Sequence, residues 1–376
     1  MQMWSRALIC NFCIKGHPKE LLVTMFKTLA LKTPVLKTSV LKHSVSWLVL
    51  VGLAFFISAC SKQDEVISLA GSTMGTTYHI KVVPNEQMPT AQLLQAEIDL
   101  ALELVNNQMS TYRPNSELSR FNQLPLEQSV EVSPDTIKVV KEGMRLYNVT
   151  DKALDITLGP LVNLWGFGPD KRPTKVPTQA DIDAAKAKTG ISELSIEGNR
   201  LSKHNAHLYV DLSSIAKGFG VDKVASILDK YHASGYLVEI GGELSIKGTK
   251  GDGSSWRVAI EKPTDDGMAV QQVIEPGTMA MATSGDYRNY YEEEGQRFTH
   301  IIDPRTGLPI NHKLASVTVL HKECMTADGF ATAMMVLGTE ASLELAKKEH
   351  LAIMLIEKQG EGFKVYYSDA FKPFLK

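Results

Sequence analysis

The spacing of apolar residues changes period along the chain, which predicts both helices and strands. Residues 76–83 alternate apolar and polar side chains, as a half-buried strand does. Residues 93–109 instead carry apolar side chains three or four positions apart, which predicts a helix with one buried face. Ser133 before Pro134 is typical of a helix start and predicts a helix that runs to about Tyr147.

The rest of the chain yields further helices and strands in no regular order. Predicted helices occupy residues 178–190, 216–231, 326–337 and 340–349. Predicted strands occupy two stretches within 192–210, then 236–240, 244–248, 256–260, 271–275, 298–302 and 315–320, with a hairpin around 292–295 and two closing strands. Because helices and strands do not alternate as βαβ units, we predict a mixed α/β (α+β) fold with largely antiparallel sheets, built as one large domain or two intimately joined lobes.

The N-terminal part of the chain carries an export signal. Residues 45–57 are predominantly apolar, lysines at positions 27, 32, 37 and 42 precede them, and Ile57-Ser58-Ala59-Cys60 follows. A basic segment, a short apolar segment and small residues before a cysteine are typical of a bacterial lipoprotein signal. We therefore predict that residues 1–59 are a signal peptide with a lipobox, that Cys60 is lipidated, that residues 60–67 form a tether and that residues 68–372 form the folded domain.

Two alternatives concern this leader. The apolar run could remain as a single membrane-spanning anchor, although it is short for crossing a bilayer. Met25 is a better initiator than Met1, so residues 1–24 could lie upstream of the true start. By analogy with lipoprotein sorting, Ser61 after the lipidated cysteine favours the outer membrane. The signal predicts a periplasmic location on a bacterial membrane, with the inner or outer membrane left open.

Charge and cysteine content exclude several classes of protein. The chain has 40 basic and 42 acidic residues, and removal of the leader leaves 33 and 41, a net charge of −8. That balance gives no indication of nucleic-acid binding. Cys324 is the one cysteine after Cys60, so no disulfide framework is possible within the mature chain, and no Cys/His spacing is typical of zinc. We interpret Cys324 as a small buried apolar residue.

Three residues in the C-terminal part of the chain suggest a metal site. Asp328 and Thr332 stand four positions apart in a predicted helix, so their oxygens share one face. His300 lies on a nearby predicted strand that enters an Asp-Pro turn. Two oxygen ligands with a histidine nearby suggest a Mg²⁺ site serving phosphate chemistry. On their own, Asp and Thr at this spacing also occur on solvated helices.

Other clusters have functional and structural interpretations. Residues 211–218 form a strand-to-helix turn whose free N–H groups, with Lys217, suit a phosphate, or which is simply a capped helix start. Tyr112 offers an aromatic face for a flavin or a base, although core packing is the commoner role. Residues 71–76 and Gly241-Gly242 are turns where a backbone can approach a ligand. Residues 159–166 are predicted to be a structured loop with a buried tryptophan.

Seven segments together resemble one family, the FAD:protein FMN transferases of the ApbE type. They are residues 71–76 (GSTMGT), 153–166 (ALDITLGPLVNLWG), 211–218 (DLSSIAKG), 239–244 (EIGGEL), 282–291 (ATSGDYRNYY), 300–307 (HIIDPRTG) and 327–333 (ADGFATA). They occur in the family's order across residues 68–358. The resemblance implies an ApbE-like, T-fold-related architecture and makes residues 68–372 a flavin transferase domain.

The resemblance also implies a reaction. A Thr or Ser hydroxyl of an acceptor protein would attack the FMN-side phosphorus of FAD, leaving FMN as a phosphodiester and releasing AMP, with Mg²⁺ as cofactor. It assigns His300 as the general base and Ser214, Asp328 and Thr332 as metal ligands. The remaining expected contacts are with FAD, through Met74, Tyr112, Ala153, Leu154, Asp155, Asp211, Lys217 and Ile302.

The sequence leaves two other functions open. Water at the same Mg²⁺ site would make the protein an FAD pyrophosphatase that produces FMN and AMP. A non-catalytic flavin-binding lipoprotein would need neither His300 nor the metal ligands. For a transferase, family analogy predicts as acceptor a membrane subunit of a sodium-pumping or electron-bifurcating-type respiratory complex.

Overall fold

The structure is a computed structural model that describes residues 66–169, 175–264, 269–287, 289–293 and 295–375. The strands, in chain order, are β1 Ile67–Thr73, β2 Thr76–Val82, β3 Ser129–Glu131, β4 Leu194–Glu197, β5 Arg200–Lys203, β6 Tyr236–Ile240, β7 Glu243–Lys247, β8 Val258–Glu261, β9 Val270–Ile274, β10 Ala280–Gly285, β11 Tyr290–Glu293, β12 Gln296–Thr299, β13 Leu314–His321, β14 Ala352–Gln359 and β15 Gly362–Tyr367. The α-helices are α1 Ala91–Met109, α2 Glu117–Asn122, α3 Pro134–Val149, α4 Gly159–Leu164, α5 Gln179–Lys186, α6 Ala216–Lys230, α7 Cys324–Leu337 and α8 Thr339–Lys348.

An antiparallel eight-stranded sheet runs through the centre of the described chain. Its strand order is β1-β2-β6-β7-β10-β13-β14-β15, and every neighbouring pair is antiparallel. Three smaller sheets accompany it among the described residues: β3-β5-β4, β8-β9 and the hairpin β11-β12. The predicted mixed α/β class with largely antiparallel sheets is confirmed.

The two faces of the central sheet are covered by different elements. On one face, Val238 and Val317 point into cores shared with α1, α6 and α7. On the other face, Leu237 and Leu320 pack with β8, β9 and the C-terminal segment. Alternate residues of each strand therefore enter different cores, as the period of two requires.

Helices α6 and α7 lie against each other on the helical face. Asp222 of α6 accepts the backbone N–H groups of Cys324 at 2.8 Å and Met325 at 2.9 Å, so it caps the start of α7 from outside that helix. A Cβ on Gly218 would lie 2.5 Å from the carbonyl oxygen of Cys324, so the close approach of the helices requires glycine at this position. The contact brings the beginnings of both helices together.

Most predicted elements are found, with boundaries displaced by no more than four residues. The predicted helix start at Ser133 is confirmed, because its side chain accepts the backbone N–H of Thr136. Helix α5 begins after Thr178, which forms a capping box with Asp181. The predicted hairpin around 292–295 is the β11-β12 turn. Strands β1, β3 and β10 and the short helix α2 were not predicted.

Two predictions were wrong. Residues 159–166 are not a loop but contain α4, which starts with Pro160 in its first turn; the tryptophan, Trp165, is buried as expected. The strand predicted over 298–302 ends at Thr299. After Thr299 the backbone no longer forms a regular strand. The backbone N–H of His300 donates to the carbonyl oxygen of Asn289, and Ile302 forms only an isolated bridge with Pro309.

No helix in the described part of the chain is long and apolar enough to span a membrane. The predicted signal peptide, Cys60 and all but the last two residues of the tether lie outside the described residues.

Candidate functional site

The turn before α6 meets α7 at Asp328. Asp211 opens the turn by accepting the backbone N–H of Ser213 at 2.8 Å, and Leu212 accepts the backbone N–H of Ala216. At the first turn of α6, the backbone N–H of Gly218 donates to Oδ2 of Asp328 at 2.9 Å. The Asp328 carboxylate is therefore held beside the segment that contains Ser214 and Lys217, two residues for which the resemblance implies contacts with the metal and with FAD.

Thr332 lies one helical turn beyond Asp328 on the same face of α7. Its hydroxyl is 3.3 Å from the hydroxyl of Ser284 on β10. Asp328, Thr332 and Ser284 thus offer a carboxylate and two hydroxyl groups, and Ser214 lies in the adjoining turn. All of these are oxygen donors of the kind that Mg²⁺ prefers.

The charge around Asp328 is unbalanced. Lys217 places its ammonium 2.6 Å from Oε2 of Glu243, a carboxylate that is almost entirely buried. Burial, and then the negative charge of Glu243, raise the pKa of Asp328. The pKa of Glu243 is also raised by burial, despite Lys217 and with a contribution from Glu239. A bound cation would relieve this excess of negative charge, so the residues fit a metal.

The cluster does not resemble a transition-metal site. In the described ranges, no group of three or more His, Cys, Asp or Glu side chains is arranged to hold a metal ion. One carboxylate with hydroxyl and carbonyl oxygens is instead typical of Mg²⁺, which keeps several waters or substrate oxygens in its shell. The donor set therefore fits a metal shared with a phosphate-bearing substrate.

A second carboxylate of the 239–244 segment is paired with a histidine. Glu239 lies opposite His79 in the β2-β6 pair, and Nδ1 of His79 is 2.8 Å from Oε2 of Glu239. The other oxygen of Glu239 accepts the backbone N–H of Gly242 at 2.7 Å. Gly241 and Gly242 both have positive φ, at 58° and 106°, which explains why glycines stand at this turn.

His300 lies at the end of β12 with its ring oriented by the backbone. Nδ1 is 3.0 Å from the carbonyl oxygen of Asn289, and because that oxygen can only accept, Nδ1 carries the proton. Nε2 is then the basic nitrogen. Desolvation lowers the pKa of His300, and the positive charge of Lys217 lowers it further. The imidazole is therefore neutral at neutral pH and can accept a proton.

Aromatic residues connect His300 with Tyr112. The Phe167 ring meets the His300 ring edge-on at 6.2 Å and stacks on Tyr291 at 5.5 Å. The Tyr112 hydroxyl is 3.4 Å from the carbonyl oxygen of Phe167, and 67% of Tyr112 is exposed. Tyr112 is thus available to a planar ligand and is not a core residue.

The remaining residues predicted to contact FAD differ in how much of each a ligand could reach. Met74 has a positive φ of 49° in the β1-β2 turn, and a Cβ on Gly220 of α6 would lie 2.7 Å from its methyl group, so Met74 reaches the start of α6. Ala153 and Leu154 are buried in the core and their backbone N–H groups donate to Thr150, which leaves only their carbonyl oxygens for a ligand. Asp155 accepts from the backbone and hydroxyl of Thr157 at 2.7 and 2.6 Å.

The segment at 153–157 is joined to the α6 turn. The backbone N–H of Asp211 donates to the carbonyl oxygen of Ile156 at 2.8 Å, and burial raises the pKa of both Asp155 and Asp211. Ile302 is buried beside Trp165, and the following turn is fixed by Asp303, which binds Arg305 through two nitrogens at 2.9 Å each. This ion pair stabilises the turn that follows Ile302.

Sequence reasoning did not single out Glu243, Ser284 or Phe167. Glu243 gave no signal, because it opens a strand, ELSIK, in which polar and apolar residues alternate and a charged side chain is ordinarily exposed. Ser284 and Phe167 gave none, since their importance depends on which elements fold against them.

The helix start that carries Lys217 lies against the buried carboxylate of Asp328, an arrangement suited to a metal ion and a phosphate-bearing ligand. The chain belongs to the ApbE family, whose sequence profile matches residues 74–355.

Relatives of known name support this membership. The FAD:protein FMN transferase of Vibrio cholerae is 54% identical over 330 residues, which are 88% of this chain and 99% of that protein. The flavin transferase ApbE structure from Vibrio cholerae has a TM-score of 0.78 and 54% identity, covering 83% of this chain and 99% of its own. The apo structure of the Pseudomonas stutzeri flavinyl transferase ApbE has a TM-score of 0.77 and 43% identity, covering 83% and 97%.

Proposed function

We propose that this protein transfers the FMN moiety of FAD to a Thr or Ser hydroxyl of an acceptor protein. The relatives named FAD:protein FMN transferase support the overall reaction. The observation that carries it in this chain is the hydrogen bond from Gly218 to Asp328, which holds a buried carboxylate against the helix start that bears Lys217.

Mg²⁺ is the cofactor that these residues would hold. Asp328, Thr332 and Ser214 are the proposed ligands, the last through its hydroxyl or its backbone carbonyl. When bound, the ion neutralises charge on the pyrophosphate. Lys217 places a positive charge beside the proposed metal position, and its ion pair with Glu243 holds the ammonium group in place.

The remaining residues position the reacting groups. Tyr112 and Met74 would contact FAD, together with the backbone of Ala153 and Leu154 and the side chains of Asp155 and Asp211. Nε2 of His300 accepts the proton of the acceptor hydroxyl while the hydroxyl oxygen bonds to the FMN-side phosphorus. The bond from that phosphorus to the AMP oxygen breaks, and AMP leaves with the electron pair. Positioning and charge are the main contributions of the protein.

The proposal includes location and partner. We infer a lipid anchor at Cys60 on the periplasmic side of a bacterial membrane, because residues 45–60 have the lipoprotein pattern. The proposed acceptor is a membrane subunit of a respiratory complex. An anchored enzyme and a membrane-bound acceptor would meet on one surface, which raises their effective concentration.

The test uses the soluble domain that starts after Cys60, with FAD, Mg²⁺ and the flavin-free form of a flavin-bearing subunit from a sodium-pumping respiratory complex. We expect one AMP released for each FMN-sized mass gained by the subunit, and no gain when EDTA removes the metal. AMP with free FMN and an unmodified subunit would indicate a pyrophosphatase. Bound FAD with no AMP would indicate a carrier.

A further inference from the structure

The connection between β10 and β11 carries a buried carboxylate that the proposed reaction does not use. Asp286 is only 7% exposed. Its Oδ2 accepts from Nζ of Lys358 on β14 at 2.9 Å, whereas its Oδ1 has no hydrogen-bond partner in the part of the chain that the structure describes. Burial of a charge is unfavourable unless the charge is paired, so Lys358 is needed to keep the carboxylate at this position.

The backbone of Asp286 is held by two further strands. Its N–H donates to the carbonyl oxygen of Ala315 on β13 at 3.1 Å, and its carbonyl oxygen accepts from Nη2 of Arg297 on β12 at 2.9 Å. The guanidinium of Arg297 is itself oriented, because it lies 3.5 Å from the centre of the Tyr290 ring. Asp286 therefore joins the central sheet to the β11-β12 hairpin.

The same connection orients His300. Asn289 follows Asp286 by three residues, and its carbonyl oxygen accepts from the backbone N–H of His300 at 3.1 Å and from Nδ1 of the ring at 3.0 Å. If the connection shifted, this carbonyl would move with it and Nδ1 would lose its acceptor. The orientation of the imidazole, and the nitrogen that carries its proton, thus depend on the segment that Asp286 holds in place.

Asp286 also acts on His300 through its charge. Burial is the main cause that lowers the pKa of His300, and the hydrogen bond with Asn289 opposes it. Two charged groups contribute: Lys217 of α6 lowers the pKa further, and Asp286 raises it. The Phe167 ring, which also meets the imidazole, carries no charge. Asp286 therefore offsets part of the effect of Lys217 on the basic nitrogen.

From this geometry we propose that Asp286 is a positioning residue for His300. Its carboxylate, paired with Lys358, fixes the connection that presents the Asn289 carbonyl to the imidazole, and its charge stabilises the imidazolium that forms when Nε2 accepts a proton. This inference rests on the proposed role of His300 in FMN transfer. Asp286 acts through His300 and is assigned no contact with FAD, Mg²⁺ or the acceptor.

Asp286→Asn and Lys358→Gln test the inference, because each removes one charge and keeps a hydrogen-bonding group. The measurement is single-turnover FMN transfer to the flavin-free respiratory subunit as a function of pH, at one Mg²⁺ concentration. We expect Asp286→Asn to move the acid limb of the rate profile to lower pH by about half a pH unit. Lys358→Gln leaves the carboxylate without its cation and should move the limb to higher pH by a similar amount. FAD affinity should stay within about twofold in both variants.

NMR of protein with isotope-labelled histidine follows the imidazole without turnover. The signals of His300 are those that disappear in His300→Ala, and their pH titration reports both its pKa and its tautomer. We expect Nδ1 to carry the proton in the unaltered protein, and the titration to move in the same two opposite directions as the rate profile. Asp135→Asn and Lys223→Gln are the matched controls, since that ion pair is also 2.9 Å long, joins α3 to α6 and is not among the charges that act on His300.

The outcomes separate this inference from the proposed function. A rate profile and a His300 titration that stay in place in both variants would overturn the positioning role and leave the transferase standing. Movement in the same direction in both variants would indicate a general disturbance of the fold and would also overturn it. Opposite movements by NMR, with no transfer by the unaltered protein, would support the link between Asp286 and His300 and overturn the proposed function. If Asp286→Asn fails to fold, the direction of the change in Lys358→Gln decides alone.

Discussion

Asp328 and His300 illustrate how the surroundings of a residue determine its chemistry. Asp328 is an acid whose pKa is raised by burial and by Glu243, so cation binding and ionisation favour each other at this position. His300 is a base whose pKa is lowered by desolvation, so it stays neutral to lower pH than a free histidine. The same physical cause, removal from water, shifts the two groups in opposite directions.

His300 is the residue with the clearest prediction. We expect His300→Ala to lower kcat for FMN transfer by about 10²- to 10⁴-fold, the usual contribution of a general base, with FAD affinity nearly unchanged. Because the base must be neutral and its pKa is lowered, the activity of the unaltered protein should fall only below the ordinary histidine range of about 6.5. Single-turnover transfer and FAD titration provide the two measurements.

His207 is an exposed histidine with no proposed contact to FAD or to the metal, and His207→Ala is the control. Loss of FAD affinity in His300→Ala would make His300 a ligand contact. Full activity of that variant would remove it from the mechanism altogether.

At the scale of single residues, the sequence predicted which types of residue lie in the candidate site, but not all of the contacts between them. Asp328, Thr332 and Lys217 could be identified because helical spacing and a helix start follow from local sequence. Glu243 could not be placed beside Lys217, since that contact depends on where β7 lies relative to α6. For the same reason the exposure of Tyr112 could not be distinguished from core packing.

At the scale of elements, the crossing of α6 and α7 positions the site. Gly218 allows the helices to approach, and Asp222 caps α7 in the same contact. The helices were predicted because their periodicity is strong. The overlong strand at 298–302 and the missed helix at 159–164 lie where tertiary hydrogen bonds, and not local pattern, determine the conformation.

Gly218→Ala tests this crossing. The added Cβ would lie 2.5 Å from a backbone oxygen of Cys324, so the helices must separate and the Gly218–Asp328 hydrogen bond must lengthen. We expect unfolding free energy to fall by about 1–3 kcal/mol, the usual cost of overpacking, and Mg²⁺-dependent FAD binding to weaken more than tenfold. Urea denaturation and FAD titration at several Mg²⁺ concentrations measure the two effects.

Gly362→Ala in the β14-β15 hairpin is the control, because a Cβ there meets only one atom, at 3.7 Å. If Gly218→Ala bound FAD and Mg²⁺ normally, the close approach of the two helices would not be needed for the site.

At the scale of the whole molecule, a lipid anchor would restrict the enzyme to two dimensions. The tether between Cys60 and β1 is about seven residues long and can extend at most about 25 Å. The proposed anchor therefore keeps the domain close to the bilayer and to any membrane-bound acceptor.

Cys60→Ala tests the anchor. Without the thiol no lipid can be attached, and processing at the lipobox stops. In cells we expect the unaltered protein to incorporate labelled palmitate and to sediment with membranes after high-salt washing. The variant should incorporate none, with Ser61→Ala as the control. Palmitate-free, membrane-bound unaltered protein would instead indicate an uncleaved spanning segment.

The contact between Gly218 and Asp328 joins residues that are 110 positions apart. A ribosome therefore synthesises the α6 turn, β6 and β7 long before it adds Asp328, whose carboxylate accepts the backbone N–H of Gly218. Translation products that stop before α7 lack Asp328 and Thr332, so they cannot assemble the metal site however well their earlier strands pair. Flavin transfer would accordingly report on nearly complete synthesis of the chain.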